Sequence, residues 1–354
     1  MRSFELHELL PPRRIATDRA AMKASVEGRR VLVTGAGGSV GSELCRQLAT
    51  LGCASLTMVE RHENSLHDLM LSFESAVADP FLADILDERR LAEAFRKSRP
   101  QVVFHAAAHK HVSLAELHAR ETVRNNVTGT RLVMEAAERH GAEKFVLIST
   151  DKAVNPSSVM GATKRVTELL VRAARNSPTI FTTVRFGNVL GSNGSVLPRF
   201  LQQIRKGGPL TVTHPEVRRF FILIPEAVQL VIEAAFLAQA GSIYLLDMGE
   251  SIRIVDLARR VIEVSGAPSS TNIEFIGLRQ GEKIDEDLIG DDERAIPTGL
   301  AHIAEIRSET PLADSFASDL ANLERLASTG TNDDVIARLR AIVPNFVHYL
   351  PVHA

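Results

Sequence analysis

The chain has 354 residues, of which 45% are hydrophobic and 24% charged, and a formal net charge of -2. These values are typical of a globular protein with one large or two modest domains, and they exclude a general electrostatic attraction to nucleic acid or to an acidic membrane. The sequence contains no apolar run of about 18 residues and no signal-peptide core, and its two cysteines lack redox or metal-binding spacing, so we expect a reduced, cytoplasmic protein without a membrane span.

Strands and helices alternate through the first half of the chain. An N-terminal arm, residues 1–27, comes first, and its adjacent prolines interrupt any regular helix there. Apolar runs predict strands at 30–34, 55–59, 102–105 and 144–148. Amphipathic patterns predict helices at 42–51, about 65–76, 88–97 and 120–139. This alternation predicts an α/β fold with a doubly wound parallel sheet.

The pattern loosens after residue 185. Glycines and prolines recur through 186–310, which predicts a smaller, loop-rich substrate lobe over the carboxyl edge of the sheet. A run near 242–248 predicts a late strand that returns to the sheet, and helices are predicted at 319–327 and 333–343. The predicted organisation is therefore an arm (1–27), a sheet domain (28–185), the lobe (186–310) and C-terminal helices (311–354).

A glycine-rich loop follows the first predicted strand and opens a helix. Gly35, Gly38 and Gly41 would let the backbone approach a pyrophosphate, and the helix N-terminus supplies free N–H groups and a partial positive charge. Glu60, 19 residues past Gly41 at a strand end, would accept ribose hydroxyls and repel a 2′-phosphate. The sequence therefore predicts a Rossmann domain that binds NAD, with NADP less favoured, although the neighbouring Arg61 weakens that preference.

Two further features of the sequence occur where a dinucleotide-binding fold that begins at the glycine loop would need them. Asp84 and Ile85 follow an alanine where adenine would lie, and Ala106, Ala107 and Ala108 form a small-residue turn after the strand at 102–105. A tight strand–helix turn without a ligand is the alternative interpretation of the glycines. The agreement of these landmarks favours the cofactor site.

Reactive side chains follow the predicted strand at 144–148. A hydroxyl, a carboxylate and an amine come together in Thr150, Asp151 and Lys152, and Lys164 follows on the next helix. Ligands and chemistry lie at the carboxyl ends of strands in open α/β sheets. We therefore expect the active centre here, although an exposed turn ion pair would give the same local sequence.

Three features of the sequence together resemble a known superfamily: the glycine string Thr34–Gly41, the string Asn126–Thr130 and Lys164. That superfamily is the extended short-chain dehydrogenase/reductases. Longer strings are Glu60–Asn64, His105–Val112, Ser149–Lys164, Arg185–Val196, Thr211–Glu216 and Gly277–Lys283. These resemble one branch of the superfamily, the nucleotide-sugar 4,6-dehydratases of bacterial polysaccharide biosynthesis, whose usual substrate is UDP-N-acetylglucosamine. Many members of the branch carry an N-terminal membrane region, so the resemblance implies a soluble short form or the catalytic part.

The resemblance implies a reaction and the residues that carry it. Such an enzyme oxidises sugar carbon 4 with NAD⁺, removes the carbon 5 proton, expels the carbon 6 hydroxyl and returns the hydride to carbon 6. Thr150 would hydrogen-bond the carbon 4 oxygen, Asp151 would be the general acid and Lys152 the carbon 5 base. Lys164 would hold the nicotinamide ribose. Burial or a nearby cation must lower the pKa of Lys152 for it to act as a base.

Met160 occupies the position where most of the superfamily has a tyrosine that takes the hydroxyl proton. A thioether cannot accept that proton, although some members of the branch also carry methionine there. Either water or one of Asp151, Lys152 and Lys164 must do this work. Met160 itself is then a packing residue beside the sugar or a positioning residue.

The implied binding residues fall into two groups. The cofactor group is Gly35, Gly38, Ser39, Val40, Gly41, Glu60, Arg61, Asn64, Asp84, Ile85, Ala106, Ala107, Ala108, Asn126, Ser149 and Lys164. The substrate group is Lys110 near the sugar, Asn188, Arg219 and Arg279 at the diphosphate, and Glu282 near the nucleoside ribose. Histidines at 105, 109 and 111 lack an acidic ligand set, so we expect no metal site.

Two other functions remain open. An epimerase, or a dehydratase that also inverts carbon 5, would act on the same nucleotide sugar, and a non-catalytic NAD-binding sensor would need no base. The adjacent Asp151 and Lys152 favour dehydration, because a simple 4-epimerase has no use for a carbon 5 base. We expect a homo-oligomer, since members of the superfamily commonly pair through two helices.

Overall fold

A computed structural model describes residues 4–13, 15–73 and 75–348. The strands are, in chain order, β1 (Arg30–Thr34), β2 (Ser55–Glu60), β3 (Ala78–Leu82), β4 (Val102–His105), β5 (Lys144–Ile148), β6 (Ile180–Arg185), β7 (Asn188–Leu190), β8 (Leu210–Val212), β9 (Arg218–Arg219), β10 (Phe221–Leu223), β11 (Ile243–Leu246), β12 (Ile252–Arg253), β13 (Ile273–Phe275), β14 (Glu293–Pro297) and β15 (Ile303–Ser308).

The helices surround this set of strands. They are α1 (Arg19–Val26), α2 (Ser39–Thr50), α3 (Glu63–Ser72), α4 (Glu88–Ser98), α5 (Val112–Leu117), α6 (Ala119–Val123), α7 (Gly129–Arg139), α8 (Val159–Ala173), α9 (Val196–Arg205), α10 (Ile224–Leu237), α11 (Ile254–Ser265), α12 (Phe316–Thr329) and α13 (Asn332–Ile342). Short 3₁₀ turns span Leu6–Leu9 and Asp151–Ala153, and a π-helical turn spans Arg124–Thr128. Within the described ranges, no helix is both long and apolar enough to cross a membrane.

A nine-stranded sheet forms the centre of the protein. Its order is β14-β15-β11-β6-β5-β4-β1-β2-β3, and β1 to β6 and β11 run parallel. Strand side chains alternate between two apolar layers, with Leu32 and Phe145 on one face and Val31 and Phe104 on the other. Helices cover both faces, because a parallel sheet buries both. The predicted doubly wound α/β fold is confirmed.

The sheet differs from the sequence-based assignment at its two edges. The strand β3 was not predicted; it contains Pro80, which an edge strand tolerates because one side of its ladder is free. At the other edge, β14 and β15 join the sheet in antiparallel order although they lie within 186–310. The predicted late strand is β11. Three two-stranded pairs, β7/β10, β8/β13 and β9/β12, also lie within 186–310.

The helix boundaries also differ from the predicted ones. The second helix begins at Ser39 rather than at residue 42, because Gly38 takes the extended N-cap conformation and the glycine loop turns directly into the helix. The arm contains α1, whose buried face packs against α10; Asp18 caps this helix by accepting from the N–H groups of Ala20 and Ala21. The predicted helix 120–139 is interrupted by the π-helical turn.

A buried cluster of two arginines and two glutamates joins β6, α8 and β14. The fully buried Arg185 guanidinium donates to Glu168 Oε2 at 2.8 Å and to Glu293 Oε2 at 2.7 Å. Arg165 also reaches both carboxylates, at 3.0 and 2.8 Å. Burial alone would raise the pKa of Glu293, but its bonds with Arg185 outweigh burial and lower the pKa to about 2. The stability from this carboxylate is therefore present above about pH 4.5 and is lost as the pH falls toward 2.

Replacing Arg185 with methionine is expected to lower the free energy of unfolding by about 3–5 kcal/mol, because two buried carboxylates lose their partner. Urea unfolding at pH 7, followed by circular dichroism, measures this change. The control is Arg294→Met on β14, whose exposed side chain faces Glu309 at 3.6 Å and should contribute below about 1 kcal/mol. Similar losses in the two variants would contradict the importance of the cluster.

Candidate active site

A cleft of about 640 Å³ opens at the carboxyl edge of the parallel strands. Loops after β1, β4, β5 and β6 form one wall, and residues from α9, β8, β9 and the 279–286 loop form the other. Many of the predicted site residues line it: Gly38, Ser39, Val40, Gly41, Ala106, Ala108, Lys110, Ser149, Thr150, Lys152, Met160, Lys164, Asn188, Arg219, Arg279 and Glu282. Residues from distant parts of the sequence therefore share one cavity.

The glycine loop is packed too tightly for side chains at two positions. Gly35 has a φ of +67°, and a Cβ atom there would lie 2.6 Å from the Ala107 nitrogen. A Cβ atom at Gly41 would lie 2.0 Å from the Gly35 carbonyl oxygen. The N-terminus of α2, beginning at Ser39, consequently opens directly into the cleft.

Glu60 is buried beside the glycine loop. Its Oε2 accepts from the Gly37 N–H at 3.0 Å, and its Oε1 accepts from the N–H groups of Arg61 and His62 at 2.9 and 3.0 Å. Three backbone N–H groups therefore hold this carboxylate in place beside the glycine loop. Arg61 itself turns toward Asp84, 3.6 Å away, and toward the Asn125 side-chain oxygen at 3.3 Å.

The residues predicted at the adenosine end all lie outside the cleft lining: Glu60, Arg61, Asn64, Asp84 and Ile85. Asn64 is exposed on α3, whereas Ile85 is buried against Gly129 on α7. The structure thus brings Glu60, Arg61 and Asp84 together.

Asn126 ties the turn after β4 to helix α8. Its side-chain oxygen accepts from the His109 N–H at 2.7 Å, and its amide nitrogen donates to the His109 carbonyl and to Thr163 Oγ1, both at 3.0 Å. The residue lies in the π-helical turn, a type of irregularity frequent at functional sites. Asn126 does not line the cleft but holds the alanine turn and Lys110 in place at its edge.

Asp151 and Lys152 form a contact pair at the end of β5. The Lys152 ammonium donates to Asp151 Oδ1 at 2.9 Å and to Asn188 Oδ1 at 2.7 Å, and the Thr150 hydroxyl donates to the same Asp151 oxygen at 2.9 Å. Asp151 is fully buried behind Thr150 and Lys152, which line the cleft. Its Oδ2 has no protein hydrogen-bond partner within the described ranges and lies beside Gly187.

Helix α8 places Met160 and Lys164 at the floor of the cleft. Met160 is buried among apolar neighbours. The Lys164 ammonium donates to the Ile148 carbonyl at 2.5 Å, and burial lowers its pKa to about 8. Ser149, between them and the sheet, donates to Glu168 at 2.7 Å and so links the cleft to the buried ion cluster.

Cationic side chains line the opposite wall. The buried Arg219 guanidinium donates to the carbonyl oxygens of Lys283 and Ile284 at 2.9 and 3.0 Å and lies 3.5 Å from Glu282. Glu282 accepts from the Thr213 hydroxyl at 2.9 Å. Across the cleft, on the loop after β4, burial lowers the pKa of Lys110. Arg279 is exposed at the rim of the opposite wall. This wall suits an anionic group.

A profile of the family described as polysaccharide biosynthesis protein matches residues 31–308. The chain belongs to this family. Its similarity extends to the capsular polysaccharide biosynthesis protein CapD of Staphylococcus aureus, with 44% identity over 83% of this chain and 50% of CapD. The chain therefore spans half of the length of that relative. The predicted resemblance to the polysaccharide branch is confirmed.

Two other relatives are matched over more of their own length. A UDP-N-acetylglucosamine 4,6-dehydratase (inverting) of Campylobacter jejuni is 33% identical over 75% of this chain and 79% of its own. The crystal structure of Pen from Bacillus thuringiensis is 33% identical, covers 80% of this chain and 90% of its own, and superposes with a TM-score of 0.75. Family membership thus agrees with both sequence and fold.

Two charged residues of the cleft lining, an arginine and a glutamate, were not among the predicted site residues. Glu286 lies on the 279–286 loop and faces Lys152, and Arg199 lies on α9 and donates to Thr211 at 2.9 Å. Glu286 lies three residues after the string Gly277–Lys283, which resembles the family, and this closeness is the sequence feature that could have indicated it. Its proximity to Lys152, which lies in a different part of the chain, depends on tertiary packing.

The three neighbouring histidines do not form a metal site. His105 lies between the hydroxyls of Thr34 and Thr130, at 2.7 and 2.9 Å, and burial lowers its pKa to about 3, so it is neutral. His109 lies 3.9 Å from Glu121. Across residues 4–13, 15–73 and 75–348, no group of three or more metal-ligating side chains is assembled.

Replacing Gly41 with alanine is expected to destabilise the protein by about 1–3 kcal/mol or more, because the new methyl group would overlap the Gly35 carbonyl. Gly299→Ala is the matched control, since a methyl group at that position would meet no atom within 4 Å and the φ of Gly299 is not positive. Thermal unfolding of both variants measures the difference. Equal melting temperatures would show that the loop relaxes freely.

Proposed function

We propose that the protein is an NAD-dependent nucleotide-sugar 4,6-dehydratase that acts on UDP-N-acetylglucosamine. The observation that carries the proposal is the contact pair of Asp151 and Lys152, set between the glycine loop and a wall of cations in one cleft. The similarity to the UDP-N-acetylglucosamine 4,6-dehydratase (inverting) of Campylobacter jejuni supports this reaction and substrate. The product would be a UDP-2-acetamido-2,6-dideoxy-4-keto-hexose for polysaccharide or glycan biosynthesis.

The residues around the glycine loop fit NAD. Gly35 and Gly41 leave room for a backbone approach to a pyrophosphate, and Ser39 begins a helix whose free N–H groups face the cleft. Glu60 would repel a 2′-phosphate, and Arg61, which could have attracted one, is turned to Asp84. When bound, NAD⁺ supplies a hydride acceptor for carbon 4 and later a donor for carbon 6.

The chain's own residues would move the protons. Transfer of one proton from the Lys152 ammonium to Asp151 along their 2.9 Å contact produces an amine and a carboxylic acid. The amine then takes the carbon 5 proton. The Asp151 proton leaves by way of the Thr150 hydroxyl, which gives its own proton to the departing carbon 6 oxygen. After the hydride returns to carbon 6, the Lys152 ammonium gives a proton to carbon 5. The proton released from the carbon 4 hydroxyl then reprotonates Asp151, which restores the amine and the acid.

Oxidation at carbon 4 needs a different proton acceptor. The Met160 thioether lines the cleft where the superfamily tyrosine would be, and it cannot take the carbon 4 hydroxyl proton. Water, Asp151, Lys152 or Lys164 must accept it. Lys164 suits this region because burial has brought its pKa to about 8, so a deprotonated fraction exists near neutral pH.

The opposite wall would hold the nucleotide diphosphate. Arg219 and Arg279 supply guanidinium donors, and Asn188 lies between this wall and Lys152. Glu282, beside Thr213, would face the nucleoside ribose. Lys110 would lie near the sugar.

The reaction itself is tested by incubating the NAD-loaded protein with UDP-N-acetylglucosamine and weighing the product. We expect loss of the mass of one water and incorporation of one solvent deuterium at carbon 5 in D₂O. Lys152→Met should slow turnover by about 10²-fold or more, because the base is removed, whereas Lys206→Met at the exposed end of α9 should not. A product of unchanged mass would indicate epimerisation instead.

Cofactor affinity is expected to fall as the pH rises through about 8. The Lys164 ammonium is charged below its pKa of about 8, and that charge would hold the nicotinamide ribose; at pH 9 most of it is lost. Titration of NAD by calorimetry should show about tenfold weaker binding at pH 9 than at pH 7. Lys164→Met should bind weakly at both values. Identical affinity of the wild type at pH 7 and pH 9 would refute this role of Lys164.

A further inference from the structure

The 279–286 loop carries a buried carboxylate into the cleft. The loop is anchored to β9, because the Arg218 N–H donates to the Ile284 carbonyl at 2.9 Å and Arg219 donates to the carbonyls of Lys283 and Ile284. The side chain of Glu286 is only 5% exposed, and it lines the cleft. A carboxylate is rarely buried in this way without a specific role or partner.

One oxygen of Glu286 lies between two cations. Its Oε1 is 3.6 Å from Arg219 Nε and 4.0 Å from Lys152 Nζ. Arg219 is a member of the proposed diphosphate wall, and Lys152 is the proposed carbon 5 base. Glu286 is therefore the side chain that connects the two halves of the site.

The charge state of Glu286 depends on a balance of opposing effects. Burial raises the pKa of its carboxyl, and Asp151 raises it further; Lys152, Arg219 and Lys283 lower it, and the net pKa is above the ordinary value. A negative charge bound at Arg219 would offset the positive charge that lowers the pKa of Glu286. A bound diphosphate would raise the pKa of Glu286 again.

We propose that Glu286 is a positioning residue that senses the substrate diphosphate at Arg219 and, by taking up a proton, releases Lys152 to act as the base. This inference rests on the proposed function and specifies how its site is regulated. While Glu286 is ionised, its negative charge holds Lys152 as an ammonium. Once the diphosphate occupies Arg219, a solvent proton forms an O–H bond on Glu286, and Lys152 can then pass its own proton to Asp151.

The first consequence is that nucleotide binding takes up a proton. Titration of the NAD-loaded protein with UDP, in buffers of different ionisation enthalpy between pH 5.5 and 8, measures this uptake. Because the pKa of Glu286 should rise on binding, the wild type should take up close to one proton per UDP at the pH where uptake is greatest. At a pH far above the pKa of Glu286 in both the free and the UDP-bound protein, the uptake should vanish. Glu286→Gln, which cannot be protonated, should lose it.

Asp285→Asn is the matched control for this experiment. The residue is adjacent and exposed, so the substitution removes the same charge without entering the cleft. Its proton uptake should equal that of the wild type. Wild-type binding of UDP without proton uptake, or unchanged uptake in Glu286→Gln, would overturn the proposal.

The second consequence does not require UDP. Removing the Glu286 charge should lower the pH at which Lys152 becomes reactive by about one unit, since an opposite charge at this distance raises a lysine pKa by that order. Reductive methylation over a pH series, followed by peptide mass spectrometry, measures the midpoint for Lys152. Lys206 in the same samples serves as the internal reference and should not shift.

The two measurements separate failure of the inference from failure of the proposed function. If the wild type binds no UDP, the proposed function fails, while the Lys152 midpoint still decides whether Glu286 controls the lysine. If the midpoint is the same in Glu286→Gln and the wild type, the inference is wrong even when turnover is observed. Glu286→Asp keeps the negative charge but moves it farther from Lys152, because the side chain is one methylene shorter. Its Lys152 midpoint should lie between those of the wild type and Glu286→Gln, which requires that the loop still folds.

Discussion

The buried arginine Arg185 holds together the parts of the protein on which the site depends. It joins β6 to α8 through Glu168 and to β14 through Glu293. Helix α8 carries Lys164 into the cleft, and Ser149 at the end of β5 bonds to the same Glu168. Because buried charges must be paired with good geometry, this cluster fixes the helix and the strand ends relative to one another.

Above that cluster, the cleft is arranged as a line of alternating charges. Asp151, Lys152, Glu286 and Arg219 follow one another from the end of β5 to the cationic wall. Each group is close enough to its neighbours for the protonation of one to change the next. In the proposed mechanism, a charge bound at the wall would therefore alter the proposed base Lys152 without any movement of the backbone.

The sequence was most informative where a motif consists of residues that are close together in the chain. The Gly35–Gly41 loop, the acid that ends β2 and the run Thr150–Lys152 could each be interpreted from adjacent residues, and the structure places the loop and the run in one cleft. It was less informative at the sheet edges, where β3 contains a proline, and in the arm, where α1 is stabilised mainly by packing on α10. It also did not reveal that Asp151 lies behind Thr150 and Lys152 rather than in the cavity.

The sequence by itself determined the alternation of strands and helices, the glycine loop and the family, because these depend on residue spacing of a few positions. The tertiary structure alone decided that Arg185 meets Glu293, 108 positions away, and that Glu286 faces both Lys152 and Arg219. Such contacts depend on how distant segments pack, and a buried carboxylate is indistinguishable from an exposed one in the sequence. The physical reason is that burial and charge proximity are properties of the folded chain.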